Sequence, residues 1–530
     1  MAEQKLKKLP LGISTFSEII QEGYVYVDKT EHIYNMVTGG KYYFISRPRR
    51  FGKSLLVSTL AELFSGNKEL FRDLWIAQSS YDWPVYPVIR FDFSAIGHRT
   101  TADLIINIDV RLDTIARDFK LDVSNYPSID SKFQEIIIQL SKINKVIILI
   151  DEYDKPILDH IDDVKEAKAQ REVLKSLYSV IKGSDQYLKF VLLTGVSKFS
   201  KTSIFSGINN LLDISMDGRY ATLLGYTKKE VENYFVDYLE QLAKNQSGTY
   251  VETVRKITDY YDGYQFAEET DRVFNPYSTM ACFEASVYRK FWFRTGTPAF
   301  LIELIKTGNY PLSALYQPIM SAEELDAFEP NDIKITALLY QAGYLTIKKY
   351  HRENDDYTLD FPNHEVASAF NLLLSSTFTQ LTYRRSKTYA AKIAQTFICN
   401  NMAELQQVLQ NFFNEMPYNV HISREFDLQI VIFSVFKLIG IEVDPEVVTS
   451  LGRADLVVSL PQPSHKASAG TARLVYVIEL KFNKSAKEAL DQIQDKKYYE
   501  KFLNIGKQIT LVGINFESET KMVSLESQEI

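Results

Sequence analysis

The stretch Ile45-Ser46-Arg47-Pro48-Arg49-Arg50-Phe51-Gly52-Lys53-Ser54-Leu55-Leu56 decides how the first part of this chain folds. An apolar run from Tyr42 to Ile45 predicts a strand, which enters a basic turn, then Gly-Lys-Ser, then the apolar start of a helix. Strand, turn and helix in that order build an anion cradle, because free backbone N–H groups at a helix N-terminus point at the bound charge. In such a cradle Lys53 reaches the β- and γ-phosphates of a nucleotide and the Ser54 hydroxyl ligates Mg²⁺. The first glycine of the pattern G-x-x-x-x-G-K-[ST] is here Arg47.

A second stretch completes the chemistry. In Lys145-Val146-Ile147-Ile148-Leu149-Ile150-Asp151-Glu152-Tyr153-Asp154, five consecutive apolar residues, four of them β-branched, predict a strand buried on both faces of a parallel sheet. It ends in two adjacent carboxylates, which are costly there unless a cation offsets them. A nucleotide's Mg²⁺ would do so, with Asp151 holding the metal's water shell and Glu152 polarising the attacking water. The plainer alternative is a strand that ends at a solvated acidic turn. A third strand, 187–193, turns polar at Thr194, a candidate sensor of the γ-phosphate, with Ser197 and Lys198 close behind. Residues 88–94 predict one more strand of the same sheet, leaving Asp92 without a role.

Together these segments resemble the family of AAA-ATPase-like proteins fused to a C-terminal PD-(D/E)xK nuclease-like domain. The resemblance rests on the Arg47–Ser54 block, on Tyr26-Val27-Asp28-Lys29-Thr30, Asp151-Glu152-Tyr153-Asp154 and Thr194-Gly195-Val196-Ser197-Lys198-Phe199-Ser200, and on Tyr261-Asp262-Gly263-Tyr264 and Asn275-Pro276-Tyr277-Ser278. It covers nearly the whole chain, and arginine in the place of the first glycine is usual in that family. It implies a P-loop, AAA-like parallel-sheet ATPase core over 1–224, a helical cap over 225–284 and a winged-helix-like middle region over 285–380. A restriction-endonuclease-like αβββαβ domain would follow over 381–530. The implied nucleotide-binding residues are Arg47, Arg50, Phe51, Gly52, Lys53, Ser54, Leu55, Asp151 and Thr194.

Bulk properties exclude several classes. With 530 residues the chain is too long for one core. A net charge of −7 rules out a uniformly basic nucleic-acid binder, so contact with DNA must come from local patches. Two distant cysteines, Cys282 and Cys399, supply neither a disulfide framework nor a zinc site. No stretch approaches a membrane span and no signal core follows the N-terminus, which points to a soluble, cytoplasmic protein.

After Gly225 the pattern turns helical. A helix over 228–244 is expected, capped by Thr227, with Val231, Tyr234, Phe235 and Leu239 on one face. Further on, 338–347 followed by 357–363 reads as a hairpin of a winged-helix-like module. Its mixed charges favour a packing platform over a DNA reader.

The C-terminal third predicts a helix over 426–438 ended by Gly440, strands at 441–448, 454–460 and 474–482, a helix over 486–503 and a strand at 508–516. The polar tract 461–471 reads as a long hairpin loop. On the 474–482 strand, Glu479 and Lys481 lie two apart and so share a face within apolar neighbours. A mutual salt bridge would explain them structurally. As the E-x-K half of a PD-(D/E)xK site, Glu479 and Asp455 would bind Mg²⁺ while Lys481 orients water or offsets charge on the phosphorus centre. Ala454 stands where that motif's proline is expected, and Gln492 and Tyr498 resemble its accessory Q…Y element. Glu425 is a candidate outer carboxylate, and lysines 481, 484, 487, 496 and 497 make the region locally basic.

The expected activity is therefore ATP hydrolysis, using Glu152, coupled to Mg²⁺-dependent cleavage of DNA by Asp455, Glu479, Lys481 and Gln492. The alternatives are an ATP-dependent scaffold whose nuclease-like fold only binds nucleic acid or protein, and an ATP sensor with negligible turnover. An arginine finger in trans, with Arg219 the candidate, would require a homo-oligomer.

Overall fold

The computed structural model describes residues 6–198, 210–292, 301, 304–306, 308, 310–326, 334–418, 420, 422–438, 441–449, 451–461, 473–503 and 508–530. Gly440, the tract beyond Pro461 as far as Thr471, and Phe199-Ser200 of the motif that begins at Thr194 lie outside the described residues. The chain divides into two compact units, 1–300 with 319–365, and 301–318 with 366–530.

The first unit is built on five parallel-paired strands: β1 (Tyr42–Ser46), β2 (Val88–Asp92), β3 (Val146–Asp151), β4 (Leu188–Gly195) and the short β5 (Leu212–Asp213). Their order is β2-β3-β4-β1-β5. Every residue of β3 is buried, as its unbroken apolar run requires of a strand covered on both faces. The register pairs Ile45 with Thr194, Ile150 with Leu193 and Asp92 with Asp151. Because β4 lies between β1 and β3, its polar end sits between the basic turn after β1 and the acidic end of β3. The helices Thr101–Asp118, Ile129–Ser141 and Val164–Gly183 flank the sheet; Thr100, Ser128 and Asp163 cap them by accepting first-turn N–H groups.

The helical segment after Gly225 begins with the expected Thr227 cap, completed by Glu230 as a capping box. It is not one helix. Phe235 (φ −123°, ψ 25°) divides it into Lys228–Tyr234 and Val236–Asn245. Val231, Phe235 and Leu239 face the core, whereas Tyr234 is 41% exposed and its hydroxyl accepts the Asp28 N–H at 3.4 Å. The helices Tyr250–Tyr261 and Pro276–Ala285 complete this part, with β6 (Tyr226–Thr227) paired to β7 (Val273–Phe274). At the end of Tyr250–Tyr261, Gly263 (φ +104°) comes so close to residue 362 that a Cβ would lie 2.1 Å from the Pro362 carbonyl oxygen. Gly263→Ala is expected to lower unfolding free energy by about 3 kcal/mol, from overpacking and left-handed strain together. A denaturant midpoint measurement checks this.

In the middle region, β8 (Ile319–Ser321), β9 (Thr346–His351) and β10 (Asp356–Asp360) form an antiparallel sheet in the order β8-β10-β9. The hairpin is shorter than the sequence suggested, because 338–342 belongs to the helix Ile335–Ala342, ended by Gly343 at φ +88°. Ile335, Leu338, Leu339 and Ala342 are all buried, so this apolar run is a buried helix that imitates a strand. Buried Glu365 follows the hairpin; desolvation pushes its carboxyl up to about 7, against hydrogen bonds from the Trp292 and Phe291 N–H groups. The unfolded chain, with its group near 4.5, releases this proton first, so stability falls as pH rises through the interval from about 4.5 to 7. Glu365→Gln is expected to remove that fall, on the order of 3 kcal/mol, in unfolding curves taken across the interval.

The second unit packs the helices Tyr383–Ile398, Met402–Asn414 and Glu425–Lys437 with a mixed sheet. Its strands run in order: β11 (Glu442–Thr449), β12 (Gly452–Pro461), β13 (Arg473–Phe482), β14 (Gln508–Phe516) and β15 (Val523–Glu529). Only β13 and β14 are parallel, and the helix Ala486–Asp495 supplies the crossover that parallel pairing needs. The helix expected over 486–503 stops at Asp495; Lys497 turns left-handed (φ 48°), and a short helix resumes at Glu500–Leu503. β15 extends the sheet beyond the expected strands.

Candidate functional site

The turn after β1 carries two left-handed residues, Arg50 (φ 71°) and Gly52 (φ 93°), directly before the helix Lys53–Phe64. Its concave side opens on a cavity of about 490 Å³, within the range of small-ligand sites. Arg50, Phe51, Gly52, Lys53, Ser54 and Leu55 all line it, facing Ser94, Glu152 and Lys155 at the ends of β2 and β3. Its other end is apolar, walled by Ile13, Val25, Val27, Leu223, Leu224 and Met280. Arg50 lies over the Tyr277 ring at 4.8 Å, which gives part of the Asn275–Ser278 motif a place at the cavity.

Lys53 is buried, and its Nζ donates to the carbonyls of Arg47 (2.7 Å) and Pro48 (3.1 Å). Desolvation lowers its pKa, opposed by the charges of Asp151, Glu152 and Asp154. Asp151 is buried at the end of β3; its Oδ1 accepts the Thr194 hydroxyl at 2.5 Å, while its Oδ2 has no partner. An orphaned buried carboxylate oxygen close to this basic turn would suit a divalent cation. Glu152 adopts φ 50°, and burial raises its pKa despite nearby Lys53.

Several expected site residues take other places. Arg47 lines no part of this cavity. Its guanidinium is buried behind the turn, donating to the carbonyls of Ser46, Ser215 and Tyr220 and lying 4.0 Å over Phe266, and desolvation lowers its pKa to about 10. Ser197 holds Asp154, donating from both N–H (2.6 Å) and hydroxyl (2.7 Å), and Lys198 pairs with Asp213 at 2.5 Å. Asp92 caps its own turn by accepting from Ser94, and Arg219, largely exposed, pairs with Asp217. Ser94 and Lys155 were not anticipated; each follows a strand end already identified.

In the second unit, the antiparallel register that pairs Leu456 with Ile478 places Asp455 one step further on, next to Glu479. The Asp455 carboxylate accepts the Gln429 side-chain amide and the Leu480 N–H, both at 2.8 Å. Glu479 Oε1 accepts Lys481 Nζ at 2.8 Å and the Gln492 amide, and Gln492 also donates to the Tyr498 hydroxyl at 3.1 Å. Glu479 Oε2 is buried without a partner. Desolvation raises the pKa of Asp455, reinforced by Glu479; desolvation likewise raises Glu479, though Lys481 opposes it. The Lys481 amine is shifted up because the Glu479 hydrogen bond and charge outweigh burial. Glu425 acts electrostatically on all three, so this helix-start carboxylate belongs to the cluster. Two neighbouring carboxylates that resist ionising together are relieved by a cation. Among the described residues no group of three or more His, Cys, Asp or Glu is arranged for a metal; the fit here is a pair, Asp455 and Glu479, with one free oxygen. Gln429 was missed, although it lies one helical turn after Glu425 on the same face.

No helix among the described residues is long and apolar enough to cross a membrane. Residues 10–205 match the family described as Predicted AAA-ATPase, and residues 423–526 match the PD-(D/E)XK nuclease superfamily. The chain is similar to a protein of Azotobacter chroococcum mcd 1 described as "Uncharacterized protein in vnfD 5'region", with 37% identity over 532 residues and 98% of each chain covered. The five-stranded parallel sheet with its cradle and the mixed sheet with its Asp-Glu-Lys cluster agree with those two matches, and the chain belongs to the family of predicted AAA-ATPases that carry a C-terminal PD-(D/E)XK nuclease-superfamily domain.

Proposed function

We propose that the chain binds and hydrolyses ATP at the cavity lined by Lys53, Ser54 and Glu152, and that the Asp455/Glu479/Lys481 cluster cleaves DNA phosphodiesters, with nucleotide state governing cleavage. The observation that carries this reading is the matched pair of orphaned buried oxygens, Asp151 Oδ2 and Glu479 Oε2, each beside a lysine and a second carboxylate. Mg²⁺, held by Ser54 and Asp151 in one site and by Asp455 and Glu479 in the other, would supply Lewis-acid stabilisation of phosphoryl oxygens.

The chain's own residues do the rest. Lys53 exchanges the Arg47 and Pro48 carbonyls for phosphate oxygens, and the N–H groups opening the helix Lys53–Phe64 share that charge. Thr194 fixes Asp151 by its hydroxyl, leaving Oδ2 free to bind. Glu152 orients the attacking water, and Lys155, paired with Asp159 at 2.9 Å, adds a positive charge to the cavity lining. In the second site Gln492 and Gln429 hold Glu479 and Asp455 in place, and Lys481 orients water or offsets charge on the phosphorus centre. The apolar end of the first cavity accepts the nucleobase. A cytoplasmic location fits both substrates, and a trans arginine would make the ATPase a homo-oligomer.

Phosphate release with and without DNA, and cleavage of a panel of single- and double-stranded DNA and RNA in Mg²⁺, Mn²⁺ and EDTA, test the reading. ATP turnover and metal-dependent DNA cleavage are expected. Intact nucleic acids in both metals would leave a scaffold, and selective cleavage of RNA would correct the substrate class.

A further inference from the structure

The nucleotide turn is gripped from behind by residues far along the chain. Trp292 is fully buried; its indole Nε1–H donates to the Arg49 carbonyl at 3.1 Å, and its own N–H donates to Glu365 Oε1 at 2.7 Å. Its ring meets Tyr344 edge-on at 5.2 Å. Beside it, Gly343 approaches so closely that a Cβ there would lie 2.5 Å from Pro48 Cβ. Pro48 and Arg49 thus have fixed neighbours, and the carbonyls of Arg47 and Pro48 are the acceptors that hold the Lys53 amine. Releasing Lys53 to a phosphate requires those carbonyls to give up a donor, and the position of the next carbonyl along is set by an indole. Glu365, which orders the Trp292 backbone, also takes a hydrogen bond from the Phe291 N–H and has Lys290, Tyr261, Tyr264 and Cys282 nearby.

We propose that Trp292, anchored by Glu365, is a positioning residue of the nucleotide site: its indole fixes the Arg49 carbonyl, sets the turn in which Lys53 changes partners, and senses that change. The proposal rests on the reading of this cavity as an ATP site.

Three tryptophans occur, at 75, 83 and 292, so full-length protein carrying Trp75→Phe and Trp83→Phe reports from Trp292 alone. Adding ATP with Mg²⁺ is expected to change its emission. Trp292→Phe, which keeps a ring but removes the donor, is expected to lower kcat for ATP about tenfold with KM within about twofold, since misplacement acts most on the transition state. Glu365→Ala is expected to do the same, and Glu365→Gln, which still offers an acceptor to the Trp292 N–H, to restore turnover. Emission unchanged by bound ATP overturns the proposal, as does wild-type kcat in Trp292→Phe. A fall in thermal stability accompanied by wild-type kcat would assign Trp292 to packing alone. Labelled-ATP binding separates the two levels. Binding that survives Lys53→Ala removes the ATP-site reading itself, whereas binding lost in Lys53→Ala beside wild-type kcat in Trp292→Phe removes only this inference.

Discussion

Lys53→Ala is expected to reduce ATP turnover by about 10²–10³-fold, the cost typical of removing one preorganised donor from developing phosphoryl charge. Its structural effect runs the other way. In the resting protein the Lys53 amine is buried, its pKa lowered by desolvation, and among the described residues its hydrogen bonds go to two turn carbonyls. Removing it therefore deletes a desolvated charge, and the Tm without nucleotide should stay level or rise. What disappears is the gain on adding ATP with Mg²⁺. For a ligand at a hundred times its Kd that gain is about 2.7 kcal/mol in the wild type, and Lys53→Ala should show almost none. Glu152→Gln divides the two functions of the site. Its carboxylate binds no phosphate in this reading, so the thermal gain persists while turnover falls. Thermal unfolding and phosphate release, each with and without nucleotide, measure both variants. An ATP-dependent gain as large in Lys53→Ala as in the wild type would mean the nucleotide binds elsewhere.

The parts of this design that were legible in the sequence are those where one short segment carries both structure and chemistry. Val146 to Ile150 is apolar without interruption because a strand covered on both faces leaves no polar position, so the acids that end it stand out. Glu479 and Lys481 are similarly visible, as two charges on one face of a buried strand. What was not legible depends on residues distant in sequence. Arg47 reads as a phosphate contact until the carbonyls of Ser215 and Tyr220 and the Phe266 ring are seen to enclose it. Ser197 reads as a sensor until Asp154, from the neighbouring strand end, takes both its donors. The break at Phe235 and the helix over 335–342 were missed for another reason. An apolar run at near-helical spacing fits a continuous helix, a broken one or a strand about equally well until its neighbours are placed. Trp292 offered no local signal, since its indole matters only through the carbonyl of Arg49.

Asp455→Asn is expected to abolish DNA cleavage, by about 10³-fold or more, while leaving ATP turnover without DNA at its wild-type level. The side chain keeps its shape: its one remaining oxygen can accept the Leu480 N–H, and the new NH₂ can donate to Gln429 if that amide turns its oxygen inward, so the fold has little reason to change. The loss is one of charge: burial and Glu479 both raise the pKa of Asp455 in the absence of a metal, and only a cation makes the doubly ionised pair favourable. The sign of the stability effect follows. With its folded-state pKa raised, Asp455 makes the metal-free protein less stable as pH rises above the ordinary carboxylate range, and Asp455→Asn should remove that decline. The wild type should gain stability from Mg²⁺ where the variant does not. Lys481→Met is the complementary test. It leaves Glu479 buried with Gln492 as its remaining partner, so it should cost both cleavage and stability in metal-free buffer, and Mg²⁺ should recover part of the stability but none of the cleavage. If Asp455→Asn cut DNA at the wild-type rate, the Asp455–Glu479 pair would be a structural ion cluster and the phosphodiester chemistry would have to lie outside it.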